Sequence, residues 1–171
     1  LERSTMPTVI ALSRQGCANL DGSSAANVRR GAYVLSTPTN GEAPQLVLLG
    51  TGSEMQTLLA AATGPLAELK ISLVSMPCWE LFDEQPAAYR SQVLPPSVPV
   101  LAVEALASEG WGKYAHSVIG MRTFGISAPA KEVQKRFGFT VENIVAKARE
   151  MLAFYQSKPV PNLLDRPDAP A

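Results

Sequence analysis

An arginine at the end of an apolar segment is the first residue whose type and position suggest chemistry. Arg14 directly follows the apolar run 8–13, which we predict to be a buried strand. In open α/β sheets, residues just past the carboxyl end of a strand often face the ligand crevice. A guanidinium there could bind a phosphate or carboxylate through parallel hydrogen bonds. On spacing alone, the commoner outcome is a surface arginine with no ligand.

A glycine-rich turn is the second candidate. Gly50-Thr51-Gly52-Ser53 lies between an apolar run and a helical pattern, where backbone amides could bind a phosphate. A dinucleotide-binding fingerprint needs a third glycine at position 55, which is Met55, and no Gly-Lys-Ser/Thr of a P-loop is present. We therefore interpret the segment as a tight turn in which Ser53 caps a helix, with Gln56 completing a capping box.

The sequence has few residues for nucleophilic or metal chemistry. His116 is the single histidine, so any Ser–His–Asp or Cys–His arrangement would have to use it. We expect a solvent-facing or hydrogen-bonded structural histidine rather than a general base or a subunit-contact residue. Cys17 and Cys78 are too few for a disulfide framework or a zinc site. No basic residue lies within five positions of Cys78, so we expect a packed thiol rather than a reactive one.

Two further groups of charged residues have ordinary structural interpretations. The segment around Trp111 could be a ligand rim or an interface, but packing or an interface is favoured over catalysis. The charged residues that flank it are Glu104, Glu109 and Lys113. A small basic patch on a predicted helix is most simply a solvated face. It consists of Lys131, Lys135 and Arg136.

The elements that must position these residues alternate between strand and helix. A helix is predicted after Ser53, another over 79–90 with a break at Pro86, and a long one after Thr140. Strands alternating with helices imply an α/β fold with a mostly parallel sheet and helices on both faces. After position 30, strands are predicted over 31–35, Leu46–Gly50, Ile71–Ser75, 98–103 and Ser117–Met121.

Composition excludes several classes of function. The chain has 171 residues, of which 46% are apolar and 18% charged, so it can bury a sizeable core. Fifteen basic residues balance fifteen acidic ones, which gives no electrostatic case for nucleic acid or an anionic membrane. No apolar run is long enough to span a bilayer. The sequence starts with leucine and no signal-peptide pattern, so we expect an excised piece or a processed product. With only two cysteines, a reducing cytoplasm is the simpler expectation for its location, although a single disulfide stays possible.

Several stretches in order resemble the C-terminal part of transketolase. The resemblance runs from about Pro7 to Met151, and no single stretch would be specific alone. Where the family usually has an Asn/Pro-containing segment after Gln15, this sequence has 16–19. Cys78 stands where Ser or Thr is typical, and 105–108 diverges. The matching stretches are 13–15, 21–24, 30–34, 50–54, 74–77, 79–82, 93–96, 120–121, 124–129 and 137–140.

The resemblance implies a specific fold and activity. The family's third domain has a five-stranded mixed sheet with one antiparallel edge strand. Transketolases are homodimers that use thiamine diphosphate and Mg²⁺ or Ca²⁺ to move a two-carbon ketol unit between sugar phosphates of the pentose phosphate pathway. The implied divisions are the end of the preceding pyrimidine-binding domain at 1–18, a linker at 19–32, the C-terminal domain at 33–156 and a proline-rich tail at 157–171.

Only one site residue carries over from the family. Arg14 matches the arginine that binds the substrate phosphate, and no catalytic, cofactor-binding or metal-binding residue of the family falls in this chain. The resemblance thus implies that the fragment supports the dimer and is inactive alone. Two alternatives remain at this point. One is the third domain of another thiamine-dependent enzyme, deoxyxylulose-phosphate synthase or a 2-oxoacid dehydrogenase β subunit. The other is a stand-alone dimerisation or regulatory module.

Overall fold

The computed structural model describes residues 7–38 and 41–165. In this part of the chain, five strands form one sheet and helices surround it. The strands are Tyr33–Ser36 (β1), Leu46–Gly50 (β2), Ile71–Ser75 (β3), Val100–Ala107 (β4) and Ser117–Met121 (β5). The α-helices are Ala25–Val28 (α1), Glu54–Thr63 (α2), Trp79–Asp83 (α3), Ala87–Val93 (α4), Ala130–Phe137 (α5) and Val141–Tyr155 (α6), and a 3₁₀ turn lies at Trp111–Lys113.

The strand order of the sheet is β1-β3-β2-β4-β5. The strand pairs β2–β3, β2–β4 and β4–β5 are parallel, and β1 pairs antiparallel with β3 at one edge. Parallel neighbours need a crossover connection, which the intervening helices provide. The predicted α/β fold, with a mostly parallel five-stranded sheet and one antiparallel edge strand, is confirmed.

Both faces of the sheet are buried, which explains why the central strands are continuously apolar. Side chains alternate between two core clusters, because successive strand residues point to opposite faces. One cluster joins Leu46 and Leu48 to α2 and α6, and the other joins Val47 and Leu49 to α3, α4 and Trp111. The sheet therefore lies between two helical layers.

The helix predictions hold with one difference in detail. The helix expected over 79–90 is divided by Pro86 into α3 and α4, as predicted. Thr140 caps α6, and its Oγ1 accepts a hydrogen bond from the Asn143 N–H at 3.3 Å. The apolar face of α6 packs on the sheet through Ile144, Ala148 and Met151. The one difference is that the stretch 19–30, which lies in the predicted linker, contains the four-residue helix α1.

The strand predicted over 8–13 is wrong. These residues have no regular secondary structure, and the side chains of Val9 and Leu12 are 94% and 87% exposed. A strand needs a neighbour for its backbone hydrogen bonds, and this segment pairs with no strand of the described sheet. The apolar pattern is that of a strand, but the described part of the chain supplies it with no partner.

The residues that follow α6 lie against the sheet. Leu163 and Leu164 pack on the second core cluster, and the carbonyl oxygen of Pro161 lies 2.9 Å from Nε2 of His116. The predicted tail over 157–171 therefore covers the surface as far as residue 165, while its last six residues lie outside the described residues. No helix in the described ranges is long and apolar enough to cross a bilayer.

Candidate functional site

The sheet reverses its winding direction beside β2. Strand β3 lies on one side of β2 and β4 on the other, so the carboxyl ends of β2 and β4 flank a topological switch point. Ligands of open α/β sheets bind outside the strand ends at such a point. Gly50 ends β2 and pairs with Val103, which places Glu104 one residue further along β4. The glycine-rich turn and Glu104 therefore both lie at the carboxyl ends of the parallel strands, which we call the carboxyl edge of the sheet.

The turn after β2 is tightly packed and adjoins a carboxylate. A Cβ on Gly50 would lie 2.7 Å from Leu58 Cδ1 and 3.0 Å from the carbonyl oxygen of Val103. Ser53 Oγ donates a hydrogen bond to Oε1 of Glu54 at 3.1 Å. Because the Glu54 carboxylate occupies the start of α2, a phosphate there would meet a negative charge. The interpretation as a structural turn, rather than a phosphate cradle, is favoured.

The predicted capping box of Ser53 and Gln56 is wrong. Ser53 occupies the N-cap position but has helical dihedral angles, φ −67° and ψ −27°, and its side chain makes no capping bond. A capping side chain normally extends from a residue in the β region. The Gln56 N–H instead donates to the Ser53 carbonyl oxygen at 3.3 Å. The Ser53 hydroxyl therefore hydrogen-bonds the Glu54 carboxylate instead of capping the helix.

The segment that contains Arg14 lies over this turn. The Ser13 Oγ is 3.5 Å from the point that a Cβ on Gly52 would occupy, and Oε2 of Glu54 is 4.0 Å from the same point. Gly52 has φ +56°, a left-handed conformation suited to glycine. Arg14 itself is exposed, and within residues 7–38 and 41–165 no hydrogen bond or ion pair is found for its guanidinium. The structure therefore brings together two segments that the sequence analysis had considered separately.

Glu104 is the unusual carboxylate of this edge. Its side chain is only 7% exposed, and its Oε2 has no hydrogen-bond partner among the described residues. Burial raises the pKa of Glu104 to about 7, with a further increase from the negative charge of Glu54 and a smaller opposing effect of the Ala105 backbone N–H. Sequence reasoning noted Glu104 only as a flanking charge and gave no role to Glu54. The available signal was that Glu104 directly follows the apolar run 98–103, while Glu54 follows the glycine-rich turn after the apolar run Leu46–Gly50.

An open depression of about 500 Å³ lies at the ends of β4 and β5. Beside it, the side chains of Leu106 and Phe124 are 64% and 97% exposed. The carboxyl edge of the sheet therefore combines acidic groups with accessible apolar surface. The depression is lined by Ala107, Ser108, Glu109, Met121, Arg122, Thr123 and Phe124.

Both ring nitrogens of His116 make hydrogen bonds to the backbone, which argues against a role as a general acid or base. Its Nδ1 accepts a hydrogen bond from the Val100 N–H at 3.0 Å, which assigns the ring proton to Nε2, and Nε2 then donates to Pro161 O. Burial lowers the pKa of His116. The ring also makes an edge contact with Tyr155, with centroids 5.6 Å apart. Both nitrogens are thus used structurally, as expected from the sequence.

The two cysteines are free. Cys17 is exposed, and Cys78 is partly buried with its Sγ 3.3 Å from Oε2 of Glu80. Burial raises the pKa of the Cys78 thiol, and the neighbouring Glu80 raises it further. Because the thiolate is the nucleophile, a raised pKa opposes reactivity. The partial burial and raised pKa of Cys78 agree with the predicted packed thiol, and its lack of reactivity stays a prediction.

The aromatic segment near residue 111 is part of the core. Trp111 is 2% exposed and contacts Trp79 edge to face, with ring centroids 5.0 Å apart. Lys113 pairs with Asp83, which also accepts a hydrogen bond from the Tyr114 hydroxyl at 2.9 Å. Trp111 therefore packs in the core, in agreement with the structural role that was favoured over catalysis. The basic patch of Lys131, Lys135 and Arg136 is an exposed face of α5, as predicted.

Comparison with known proteins gives one consistent family. The family model of the transketolase-like C-terminal domain matches residues 31–140. Transketolase 1 of Saccharomyces cerevisiae is 44% identical over 157 residues, which cover 91% of this chain and 23% of the yeast protein. This chain therefore spans about a quarter of the length of the relatives it matches.

Solved structures agree with the sequence comparison. A transketolase from Leishmania mexicana superposes with a TM-score of 0.76 and 45% identity, over 82% of this chain and 21% of that one. A transketolase from Pichia stipitis in complex with sedoheptulose-7-phosphate gives a TM-score of 0.82 and 34% identity, over 90% of this chain and 22% of the other.

Proposed function

The chain belongs to the transketolase family, and from that membership we propose that it is the C-terminal part of a full-length ketol transferase. The whole protein would transfer a two-carbon ketol unit from a ketose phosphate to an aldose phosphate, in the pentose phosphate pathway. The sedoheptulose-7-phosphate complex of the Pichia stipitis relative supports sugar phosphates as substrates. Family membership also selects this function over the other thiamine-dependent enzymes considered above.

Arg14 carries the proposed contribution of this chain to substrate binding. Its guanidinium is exposed beside the switch point of the sheet, with no partner in the described ranges, so its hydrogen-bonding positions are available to a ligand. A guanidinium can bind a phosphate through two parallel hydrogen bonds, which fixes orientation as well as charge. A phosphate held there would orient the reacting carbonyl at the other end of the sugar.

The cofactors would be held by the rest of the protein. The described residues contain no group of three or more His, Cys, Asp or Glu side chains that could hold a metal ion. The carboxylates near Arg14 also do not suit a diphosphate, because they are negatively charged. We therefore assign thiamine diphosphate and Mg²⁺ or Ca²⁺ to the preceding region, and we expect the isolated chain to be inactive.

The proposed full-length protein is a homodimer to which this chain contributes structural support. The exposed apolar side chains at and near the carboxyl edge, which include Leu12, Leu106 and Phe124, are the surface we expect to be covered. The proposed divisions are 1–18 for the end of the preceding domain, 19–32 for the linker, 33–156 for the C-terminal domain and 157–171 for the tail. A cytoplasmic location stays a prediction.

Activity measurements on two forms of the protein test the proposed function. The full-length protein, supplied with thiamine diphosphate and Mg²⁺, is expected to convert a ketose phosphate and an aldose phosphate into products that differ by two carbons. The 171-residue chain under the same conditions is expected to give no product. Absence of ketol transfer by the full-length protein would refute the assignment, and turnover by the short chain would refute the division of labour.

A further inference from the structure

Two segments outside the sheet lie beside its two edge strands, and each has contacts on both faces. Residues 20–32, which we call the entry strap, precede the edge strand β1. Residues 157–165, which we call the exit strap, follow α6 and pass close to the start of the other edge strand, β5. They fall in the proposed linker and in the proposed tail.

The entry strap starts on the face of the sheet that carries α2 and α6. Leu20 packs against the first core cluster, and its carbonyl oxygen accepts a hydrogen bond from the Ser23 N–H at 3.1 Å. The Ser23 hydroxyl lies 3.3 Å from the hydroxyl of Tyr33 in β1. Asn27 Nδ2 donates to the Gly22 carbonyl oxygen at 2.8 Å, which joins the start of the strap to α1. An apolar contact and hydrogen bonds therefore hold this end.

The same strap ends on the opposite face of the sheet. The Gly31 carbonyl oxygen accepts a hydrogen bond at 3.0 Å from the N–H of Cys78, the N-cap residue of α3. The Arg30 guanidinium lies over the ring of Tyr89 in α4, 4.6 Å from its centroid. The Tyr89 hydroxyl donates to the Ala32 carbonyl oxygen at 2.8 Å, and Ala32 is buried in the second core cluster. The entry strap thus connects the two helical layers.

The exit strap connects the same two layers beside the other edge of the sheet. It leaves α6, which packs on the first core cluster, and Leu163 and Leu164 then pack on the second. Between these anchors, the Pro161 carbonyl oxygen accepts a hydrogen bond from Nε2 of His116, directly before β5. The Leu164 N–H donates to Oδ1 of Asn162 at 3.1 Å, which forms the turn that brings the leucines to the second cluster.

A segment anchored in both layers has a physical consequence for how the fold opens. The two core clusters lie on opposite faces, because successive strand side chains alternate, so the sheet backbone separates them. A strap that is released from one layer also loosens its contacts with the other. Regions that share contacts in this way open together as one cooperative unit.

We propose that the entry and exit straps clamp the two helical layers together across the sheet, so that the cooperatively folding unit extends over 20–165 rather than over 33–156. The proposal goes beyond the ketol-transfer function and does not depend on it. It gives a structural role to the proposed linker and tail, and it places the start of the unit after the exposed residues 14–19.

Limited digestion of the 171-residue chain with trypsin tests the start of this unit. Trypsin cleaves after arginine, and Arg14 lies before the entry strap whereas Arg29 and Arg30 lie within it. Cleavage of a folded segment requires local opening, so we expect cleavage after Arg14 to be at least roughly tenfold faster than after Arg29 or Arg30. Mass spectrometry of the products over time measures the rates. Equal rates would show that 20–32 is a loose linker and would overturn the proposal.

Leu20→Ser tests the coupling across the sheet, because the change lies on the first face. We expect hydrogen exchange of the Cys78 N–H, on the second face, to become roughly threefold to tenfold faster, as measured by NMR. Val28→Ser is the matched control, since Val28 is an apolar residue of the same strap whose side chain is 43% exposed. It should leave the Cys78 exchange rate unchanged. Faster exchange confined to 20–24 in Leu20→Ser would show that the entry strap transmits nothing.

The corresponding test of the exit strap starts from the second face. The combined Leu163→Ala and Leu164→Ala substitutions should accelerate exchange of the Tyr155 N–H, in the last turn of α6, by a similar factor. Val160→Ala is the control, because Val160 belongs to the same strap but to neither core cluster. An unchanged Tyr155 exchange rate in the double variant would show that residues 157–165 only cover the surface.

Discussion

The Nδ1 atom of His116 accepts a hydrogen bond from the backbone N–H of Val100 at 3.0 Å, at the start of β4. The opposite ring nitrogen donates to the carbonyl oxygen of Pro161 at 2.9 Å. One neutral imidazole thus satisfies two backbone groups from separate parts of the chain. Protonation of Nδ1 would remove its acceptor and oppose the Val100 N–H, so the contact depends on the neutral form.

This contact predicts a loss of stability in mild acid. Burial lowers the folded-state pKa of His116 below the usual value of 6.5, so the unfolded chain binds its proton first. The stabilisation is therefore fully present above pH 6.5 and is lost as the pH falls through the folded-state pKa. Urea unfolding of the 171-residue chain at a series of pH values measures the effect. His116→Asn, whose amide oxygen can still accept from Val100, should reduce this dependence.

His116→Ala provides the corresponding control at pH 8. It leaves the Val100 N–H without its acceptor, which should cost about 1–3 kcal/mol in the free energy of unfolding. The loss should exceed that of His116→Asn. Equal losses for the two variants would show that the hydrogen bond to Val100 contributes little.

The raised pKa of Glu104 predicts that its contribution to stability changes with pH in the opposite direction to that of His116. The folded-state pKa of Glu104 is raised from 4.5 to about 7, so the folded chain keeps a proton that the unfolded chain releases. Stability from this group is present below pH 4.5 and is lost as the pH rises to about 7. Glu104→Gln should remove this loss and stabilise the chain at pH 8 by up to about 3 kcal/mol relative to wild type. At pH 4.5 the two should be nearly equal.

Glu109→Gln is the control for this measurement, since Glu109 is exposed and close in sequence. Its free energy of unfolding should follow the wild-type pH profile. A Glu104→Gln variant that is no more stable than wild type at pH 8 would show that the buried carboxylate finds a donor.

A side chain at position 31 is expected to clash severely with the backbone around it. Gly31 has φ +80°, and a Cβ there would lie 2.2 Å from the Phe82 backbone nitrogen and 2.4 Å from the Cys78 carbonyl oxygen. Gly31→Ala must therefore displace the start of α3, and we expect a loss of at least about 2 kcal/mol in the free energy of unfolding. Gly112→Ala is the control, because a Cβ there meets nothing within 4 Å. It should change the free energy by less than about 1 kcal/mol.

Local patterns predicted the elements whose determinants are local. The apolar runs at Leu46–Gly50 and Ile71–Ser75 became strands with those limits, because burial on both faces requires continuous apolar residues. Ser117–Met121 also became a strand with the predicted limits, although only Ile119 of this edge strand is buried. Thr140 capped the last helix as its type and spacing indicated. The segment 8–13 has an equally clear pattern but no strand neighbour in the described sheet. A pattern specifies what a segment can form, whereas pairing decides whether it does.

The candidate site depended on contacts that no local pattern contains. The approach of Ser13 to Gly52 follows from the path of the chain over the switch point. The raised pKa of Glu104 follows from its burial next to Glu54. In the sequence Glu104 looks like an ordinary charge after an apolar run, and Glu54 looks like one at the start of a helix. Arg14 was identified by its position in a family-like motif, since its neighbours alone did not distinguish it from a surface arginine.

The last prediction concerns Arg14 in the full-length enzyme. Arg14→Ala should raise KM for phosphorylated substrates, because a charged hydrogen bond worth about 1.5–3 kcal/mol is lost, which corresponds to roughly 10- to 150-fold. Arg14→Lys keeps the charge but lacks the planar fork, so its KM should lie between those of Arg14→Ala and wild type. Steady-state kinetics with phosphorylated and unphosphorylated donors measure both variants. Because the guanidinium is proposed to contact the phosphate alone, the donor without phosphate should be handled equally by all three enzymes, and a similar loss with both donors would exclude phosphate recognition as the role of Arg14.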